Sequence, residues 1–263
     1  MVQMQLMPYP IAKFDQLLRK ATCALLPRSA WLSRKTKAGV EITGQNRAGY
    51  GGRGFFVFGE ELEPELKHLE FFLRPGGVFI DIGANTGVFS MKAARCVESS
   101  GEVIAVEPQP DMVYALHRNV LRNDFGNVRI RNCVLSDQSG RKDLWINQDR
   151  PASASFNRSD AKAKNLSCLC LTLDELVDLE QSARVDYIKI DTEGSEAAIL
   201  RGGQRVIAQF KPVIQVEVSV KDVPVMPGYE RWHFAGSGNV LQIPAGHWAG
   251  QVCVRLGYQQ ERN

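Results

Sequence analysis

Residues 78–87 read VFIDIGANTG, an apolar run that reaches an aspartate and continues into a glycine-rich turn. The run VFIDI is apolar on both faces of an extended chain, which is typical of a strand covered on both sides. The glycines after it permit a tight turn and allow a ligand to approach the backbone. Because a helical segment follows at 88–97, the stretch predicts the first strand, turn and helix of a βαβ unit.

The same alternation continues along the chain. Further apolar runs predict strands at 103–107, 128–134, 185–190 and 213–219, and helices are expected at 61–73, 110–122, 173–180 and 196–209. Shorter runs at 142–146 and 168–172 predict edge strands, and NVLQI (239–243) with QVCVRL (251–256) predict an antiparallel pair. Strands separated by helices predict an α/β fold with a mostly parallel central sheet and helices on both faces.

The chain of 263 residues is expected to form one core with an appended segment. Residues 1–60 hold nine Lys/Arg against three Asp/Glu, and residues 1–59 predict a basic N-terminal helical extension. Its glycine-rich stretch at 48–59 forms either a flexible or tightly turning connection or a loop over a ligand. Residues 60–263 form the main domain. Phe14, Leu17, Leu18, Ala21 and Leu25 share one face of a predicted helix, which either packs across the main domain or contacts a membrane surface or an acidic partner.

Composition favours a globular protein without a membrane span. Hydrophobic residues make up 44% and charged residues 23%, and apolar runs stay shorter than the roughly 18 residues that a span requires. The start MVQMQLMPYP lacks the pattern of a secretion signal, so we expect a cytoplasmic location. Six scattered cysteines show no zinc spacing, and no motif indicates nucleic-acid binding. The oligomeric state does not follow from the sequence.

Polar residues follow the predicted strands where ligands of open α/β sheets bind. Asp81 precedes the turn GANTG, whose G-x-x-x-G spacing differs from the G-x-G-x-x-G dinucleotide fingerprint. Glu107 closes the next strand, about 20 residues beyond the glycines, where a carboxylate can accept both hydroxyls of a ribose. Ser136 and Asp137 follow the third strand and either hydrogen-bond an adenine edge or turn the chain.

These pieces resemble a known family. The segments LRPGGVFIDIGANTGVFS, GEVIAVEPQP, VLSDQSG, LTLDEL, VDYIKIDTEGSEAAILRGG and KPVIQVEVS stand in the order typical of the FkbM family of class I S-adenosylmethionine-dependent methyltransferases. The resemblance covers about residues 60–220 and implies a Rossmann-like fold. Residues 220–263 diverge and are expected to face the substrate and complete the sheet.

The resemblance also implies S-adenosylmethionine as cofactor and methyl transfer to a hydroxyl of a small molecule, a sugar or a secondary metabolite. It implies that eight residues surround the cofactor: Asp81, Gly83, Asn85 and Gly87 by the methionine tail, Glu107 by the ribose, Pro108 under the nucleoside, and Ser136 and Asp137 by the adenine. Two alternatives remain, a nicotinamide-dependent oxidoreductase and a non-catalytic nucleoside-binding module with a basic N-terminus.

The catalytic candidates are Asp191, Glu193 and Glu217: the first two follow one predicted strand, and Glu217 lies inside the neighbouring one. A carboxylate there can accept the acceptor's proton, and crowding of like charges is expected to raise its pKa towards neutrality. A structural role as first-turn helix acids competes for Glu196. Three carboxylates also suit a divalent cation, but the family pattern requires none, so no metal is predicted.

Overall fold

The computed structural model describes residues 9–146, 164–192, 194–217 and 223–261. Its strands are β1 Trp31–Lys35, β2 Glu41–Gln45, β3 Val78–Ile82, β4 Glu102–Val106, β5 Val128–Arg131, β6 Val134–Leu135, β7 Gly140–Ile146, β8 Lys164–Leu171, β9 Tyr187–Ile190, β10 Val213–Glu217, β11 Tyr229–His233, β12 Asn239–Pro244 and β13 Gln259–Gln260. The largest sheet has eight strands in the order β13-β11-β12-β10-β9-β3-β4-β5, and β6-β8-β7 and β1-β2 form two smaller sheets.

Helices cover the large sheet. They are α1 Tyr9–Leu25, α2 Gly51–Phe58, α3 Pro64–Phe72, α4 Val88–Val97, α5 Pro110–Arg122, α6 Leu173–Glu180, α7 Glu196–Arg201, α8 Gln204–Phe210 and α9 Trp248–Leu256, with a 3-10 turn at Gly59–Leu62. The segment predicted as one helix over 196–209 is divided into α7 and α8 at Gly202-Gly203. These glycines also allow close packing, since a Cβ on Gly203 would lie 2.5 Å from Leu173 Cδ2.

Strands β5, β4, β3, β9 and β10 are parallel, as predicted, and β12 runs antiparallel to both β10 and β11. Successive side chains of β3 enter two different cores: Phe79 packs on one side of the sheet and Ile80 on the other. VFIDI does not alternate between apolar and polar residues because both faces of β3 are covered by helices. The chain passes from β3 to β4 and β5 and returns to β9 on the other side of β3, so the strand order reverses at the carboxyl ends of β3 and β9.

The C-terminal prediction was partly wrong. NVLQI lies in β12, but QVCVRL lies in α9, and the antiparallel partner of β12 is β11. Ala249, Val252 and Cys253 are buried at helical spacing, and the helix begins after His247, whose Nδ1 accepts from the Ala249 amide. Gly257 ends it with a left-handed φ of 85°.

The glycine-rich stretch 48–59 was predicted as a connection and instead contains α2. Its glycines allow backbones to meet: a Cβ on Gly52 would lie 2.5 Å from the Thr43 carbonyl oxygen in β2. Close packing against the hairpin β1-β2 therefore explains this composition better than flexibility does.

Candidate active site

A cavity of about 260 Å³ opens at the carboxyl ends of the central strands. Its lining includes Gly83, Asn85, Glu107, Pro108 and Asp191 from the predicted set. Apolar side chains complete one wall, listed as Val106, Cys133, Val134, Leu135 and Leu144. A larger groove of about 1080 Å³ lies at the opposite edge of the sheet, but ligands of open α/β sheets bind at the carboxyl edge. We therefore place the site in the smaller cavity.

Glu107 is a buried carboxylate held by backbone amides. Its Oε2 accepts from the Asn85 amide at 2.8 Å and its Oε1 from the Gln109 amide at 2.9 Å. Burial raises its pKa to about 7, although both amide bonds favour the ionised form. Each carboxylate oxygen has a second lone pair, so the group can accept further donors from a ligand in the cavity.

The glycine turn is held in shape from outside. Asn85 takes a left-handed φ of 52°, and its Oδ1 accepts from the Gly51 amide at 2.9 Å. Thr86 Oγ1 accepts from the Gly52 amide at 2.7 Å. Both donors begin α2, so the N-terminal segment fixes the loop, a role that the sequence did not reveal.

Asn119 of α5 joins the same elements. Its Nδ2 donates to the carbonyl oxygens of Thr86 at 2.8 Å and Thr43 at 2.9 Å, and its Oδ1 accepts from the Thr43 amide and hydroxyl at 2.8 Å. The side chain is fully buried. A buried amide with four partners ties α5, β2 and the glycine turn into one unit.

Asp81 and Lys189 face each other across β3 and β9, where they are register partners. Lys189 Nζ lies 3.5 Å from Asp81 Oδ1 and 3.0 Å from Asp191 Oδ2, and the Ser90 hydroxyl donates to Asp81 Oδ2 at 2.6 Å. Burial alone lowers the pKa of Lys189, but the surrounding carboxylates, Asp191 foremost, outweigh it and raise the pKa. The lysine is therefore a buried cation under the cavity, and Asp81 supports it without lining the cavity.

The expected rise in the pKa of Asp191 was wrong. Burial alone raises this pKa, but the charge of Lys189 and hydrogen bonds from Glu217 and Lys189 together lower it. Asp191 and Glu217 are therefore joined by a hydrogen bond between their carboxyl groups. The Asp191 side chain remains 35% exposed and lines the cavity.

A second group of acids stands beside this pair. Asn239, the register partner of Glu217, donates through Nδ2 to Glu63 Oε2 at 3.1 Å and Glu65 Oε2 at 3.2 Å, and the Ser237 hydroxyl donates to Glu65 at 2.9 Å. Burial raises the pKa of Glu63, with Asp191 adding to the effect and Lys189 opposing it. Glu63 is the N-cap residue of α3, yet its side chain makes no cap bond. The side chain of Glu63 is thus directed at β12, which its sequence context, ELEPEL at 61–66, does not indicate.

The remaining predicted residues lie elsewhere. Gly87 begins α4 with a φ of 85°, and a Cβ there would be 2.2 Å from Leu116 Cδ1. Ser136 and Asp137 do not line the cavity, and Asp137 pairs with Arg201 at 2.9 Å, which lowers its pKa. Glu193 lies outside the described residues. Glu196 accepts from Gly194 and Thr192, the structural role that competed in the sequence.

Within the described ranges, no group of three or more His, Cys, Asp or Glu side chains is placed to hold a metal ion. The same ranges contain no helix that is long and apolar enough to cross a membrane.

The donor set fits a nucleoside with an amino-acid tail. Glu107 presents carboxylate oxygens for ribose hydroxyls, and the apolar wall suits the face of a base. Gly83 has a left-handed φ of 78°, and a Cβ there would stand 1.9 Å from the Asp191 carbonyl oxygen, so only glycine lets this turn close on β9. The residues present therefore fit S-adenosylmethionine.

The parallel sheet with its reversed strand at β12 and this nucleoside-type cavity define a Rossmann-like class I methyltransferase. The sequence model of the methyltransferase FkbM domain matches residues 81–227, more than half of the chain. The chain belongs to the FkbM methyltransferase family, whose methyl donor is S-adenosylmethionine. Both the fold and the family predicted from the sequence are confirmed, and the nicotinamide alternative is dropped.

Two curated relatives are similar over about half of the chain. The 31-O-demethyl-FK506 methyltransferase FkbM of Streptomyces tacrolimicus is 27% identical over 180 residues, which are 57% of this chain and 68% of that protein. Methyltransferase 1 of Beauveria bassiana is 25% identical over 173 residues, 54% of this chain and 68% of that protein. A solved structure, the methyltransferase FkbM of Methylobacillus flagellatus KT, is 17% identical with a TM-score of 0.44 and covers 72% of this chain. The chain spans about half of that solved chain, 52%.

Proposed function

We propose that the protein transfers a methyl group from S-adenosylmethionine to a hydroxyl oxygen of a small molecule, a sugar or a secondary metabolite. The observation that carries this proposal is the partly exposed Asp191 carboxylate at the cavity, held between Lys189 and Glu217. Membership of the FkbM family and the name of the Streptomyces relative support the choice of an oxygen acceptor. Hydroxyls are also the natural partners of a site rich in carboxylates.

When bound, S-adenosylmethionine supplies a methyl group on a sulfonium sulfur and leaves as a neutral thioether after in-line attack by the acceptor oxygen. We assign to Asp191 the hydrogen bond that orients the acceptor hydroxyl and receives its proton. The low pKa of Asp191 is compatible with this role, because an oxygen that gains a methyl group while it keeps its proton becomes a strong acid. A weakly basic carboxylate therefore suffices, provided that it is placed correctly.

Glu217 and Lys189 hold Asp191 from two sides in this proposal. Glu217 hydrogen-bonds to Asp191 and Lys189 Nζ contacts Oδ2 at 3.0 Å, while the Asp191 side chain stays 35% exposed at the cavity. Glu63 and Asn239 extend the polar surface next to this carboxylate and are assigned to the acceptor. Glu193 stays a predicted assistant two positions after Asp191.

The eight predicted cofactor residues divide into two groups in this proposal. Gly83, Asn85, Glu107 and Pro108 line the cavity and are assigned to direct contact with the cofactor. The predicted adenine contacts of Ser136 and Asp137, and those of Asp81 and Gly87 with the methionine tail, stay predictions.

The test is label transfer from methyl-labelled S-adenosylmethionine to a panel of hydroxylated small molecules, with the labelled atom located by NMR. We expect label on oxygen with the wild-type protein, and turnover reduced at least about 100-fold in Asp191→Asn, the lower range for loss of a positioned acid-base group. Binding of S-adenosylhomocysteine, measured by calorimetry, should change little in that variant.

Asp178→Asn is the matched control, because this aspartate of α6 is 67% exposed and pairs with Arg205 outside the cavity. Its turnover should equal that of the wild type. Wild-type turnover in Asp191→Asn would exclude Asp191 as the proton acceptor. Label on nitrogen or carbon would exclude the hydroxyl acceptor, whatever the variants do.

A further inference from the structure

Helix α1 shows its apolar face to solvent. Phe14, Leu17, Leu18 and Leu25, which we call the apolar stripe, are between 52% and 86% exposed. The sequence pattern offered packing across the main domain or contact with an outside partner. Within the described residues α1 does pack on α2, but through its polar side, and the stripe stays exposed. A helix of a globular protein normally buries its apolar stripe against the core. Exposed apolar area of this kind marks an interaction surface.

The polar side of α1 is the side that is held by the protein. Asp15 pairs with Arg34 at 3.5 Å, and Arg19 stacks over the Phe56 ring at 5.0 Å from its centroid. Asn46 Nδ2 donates to the carbonyl oxygen of Cys23 at 2.7 Å, and Cys23 is buried. All of these contacts would break if the helix turned its stripe inward, so the outward orientation of the stripe is built into the fold.

Basic residues border the stripe. Lys13 and Lys20 are exposed and lie seven positions apart, which places both on the same flank of the helix. Arg28 follows shortly after the helix and is also exposed. Within residues 1–60 nine basic residues stand against three acidic ones, so this end of the chain carries the positive excess of the protein.

We propose that α1 docks on an anionic membrane surface, with the apolar stripe inserted among the acyl chains and the flanking lysines at the lipid phosphates. An apolar face bordered by lysines is the pattern of helices that lie in the membrane interface. Positive charge favours anionic lipids over a second copy of the chain, since the second copy carries the same excess. This proposal does not depend on the acceptor or on the cofactor.

The test is co-sedimentation of the full chain with vesicles of phosphatidylcholine alone and with vesicles that contain phosphatidylglycerol. We expect binding to the anionic vesicles only, weakened when salt is raised, because screening reduces attraction at a charged surface. Leu17→Ser should reduce the partition coefficient about tenfold, as expected when one buried leucine side chain is lost.

Leu179→Ser is the matched control, because this leucine of α6 is 65% exposed, similar to the 63% of Leu17, and lies outside the stripe. The control should bind as the wild type does. Failure of the wild type to bind anionic vesicles, or an equal loss in both variants, overturns the proposal. A vesicle-free dimer that dissociates in Leu17→Ser also overturns it, because the stripe would then be a contact between two copies.

Discussion

The buried carboxylate of Glu107 makes stability and cofactor binding depend on pH in opposite directions. Burial raises its pKa from the ordinary 4.5 to about 7 in the folded protein. A carboxyl group with a raised folded pKa contributes stability that is fully present below its unfolded pKa and is lost as pH rises through its folded pKa. Between about pH 5 and pH 8 the group therefore ionises in place, and the free energy of unfolding falls.

The difference between about 7 and 4.5 corresponds to about 3 kcal/mol, at about 1.4 kcal/mol for each pKa unit. For a chain of this size 1 kcal/mol shifts Tm by about 2 °C, so the expected fall is roughly 6 °C. Ribose hydroxyls that donate to the Glu107 carboxylate favour its ionised form. S-adenosylhomocysteine should therefore bind more tightly at pH 8 than at pH 6, and at pH 6 its binding should release the proton of Glu107.

Urea unfolding at pH 5, 6, 7 and 8 measures the fall in the free energy of unfolding in the wild type and in Glu107→Gln, whose amide cannot ionise. Other acids with raised pKa values, Glu63 and Glu65, act in the same direction in both proteins, so the difference between the two curves isolates Glu107. If the free energies of unfolding of the wild type and of Glu107→Gln changed in parallel between pH 5 and pH 8, the ionisation of Glu107 would not be the cause of the fall. Calorimetry in two buffers of different ionisation enthalpy counts the protons released when S-adenosylhomocysteine binds. A count of zero at pH 6 in the wild type would contradict the predicted link between cofactor binding and the ionisation of Glu107.

Other perturbations test the framework of the site. Gly83→Ala places a Cβ 1.9 Å from the Asp191 carbonyl oxygen and should lower the free energy of unfolding by about 3 kcal/mol or more. Gly246 has a similar φ of 75° but open space around it, so Gly246→Ala should lower the free energy of unfolding by only about 1 kcal/mol. Asn119→Ala leaves four buried backbone and hydroxyl partners unpaired and should cost about 3 kcal/mol in urea unfolding. Lys189→Met leaves the carboxylates of Asp81 and Asp191 without their cation, so it should lower the free energy of unfolding by about 3 kcal/mol or more. In a plot of turnover against pH, the acidic limb should move to higher pH.

The central sheet could be predicted because its strands obey one simple pattern. VFIDI and VDYIKI are buried on both faces, and runs of that kind occur where helices cover both sides of a sheet. The start of α6 was equally direct, since T-x-x-E at 172–175 is the pattern of a capping box and Thr172 and Glu175 form both of its bonds. Patterns that depend only on neighbours along the chain were therefore sufficient for these elements.

The predictions that were wrong depend on contacts between segments that are distant in the sequence. The glycines of α2 were interpreted as a flexible or tightly turning connection, because nothing local shows that Gly52 must lie against Thr43. The sequence showed a crowd of acids around Asp191, but the direction of its pKa depends on Lys189, whose side chain is directed to the same edge through its pairing with Asp81 in β3. Strand register, which the sequence leaves open, decided the electrostatics of the site.

The N-terminal segment connects the two surfaces for which we propose roles. Helix α1 rests on α2 through Arg19 and Phe56, and the amides of Gly51 and Gly52 at the other end of α2 donate to the glycine turn, the first of them to Asn85. This eight-residue helix spans about 12 Å. Since the Asn85 amide is one of the two donors that hold Glu107, three successive contacts connect α1 with the carboxylate assigned to the ribose. Among the described residues, 9–59 thus contact the loop of the cofactor site through the start of α2, and none of them lines the cavity.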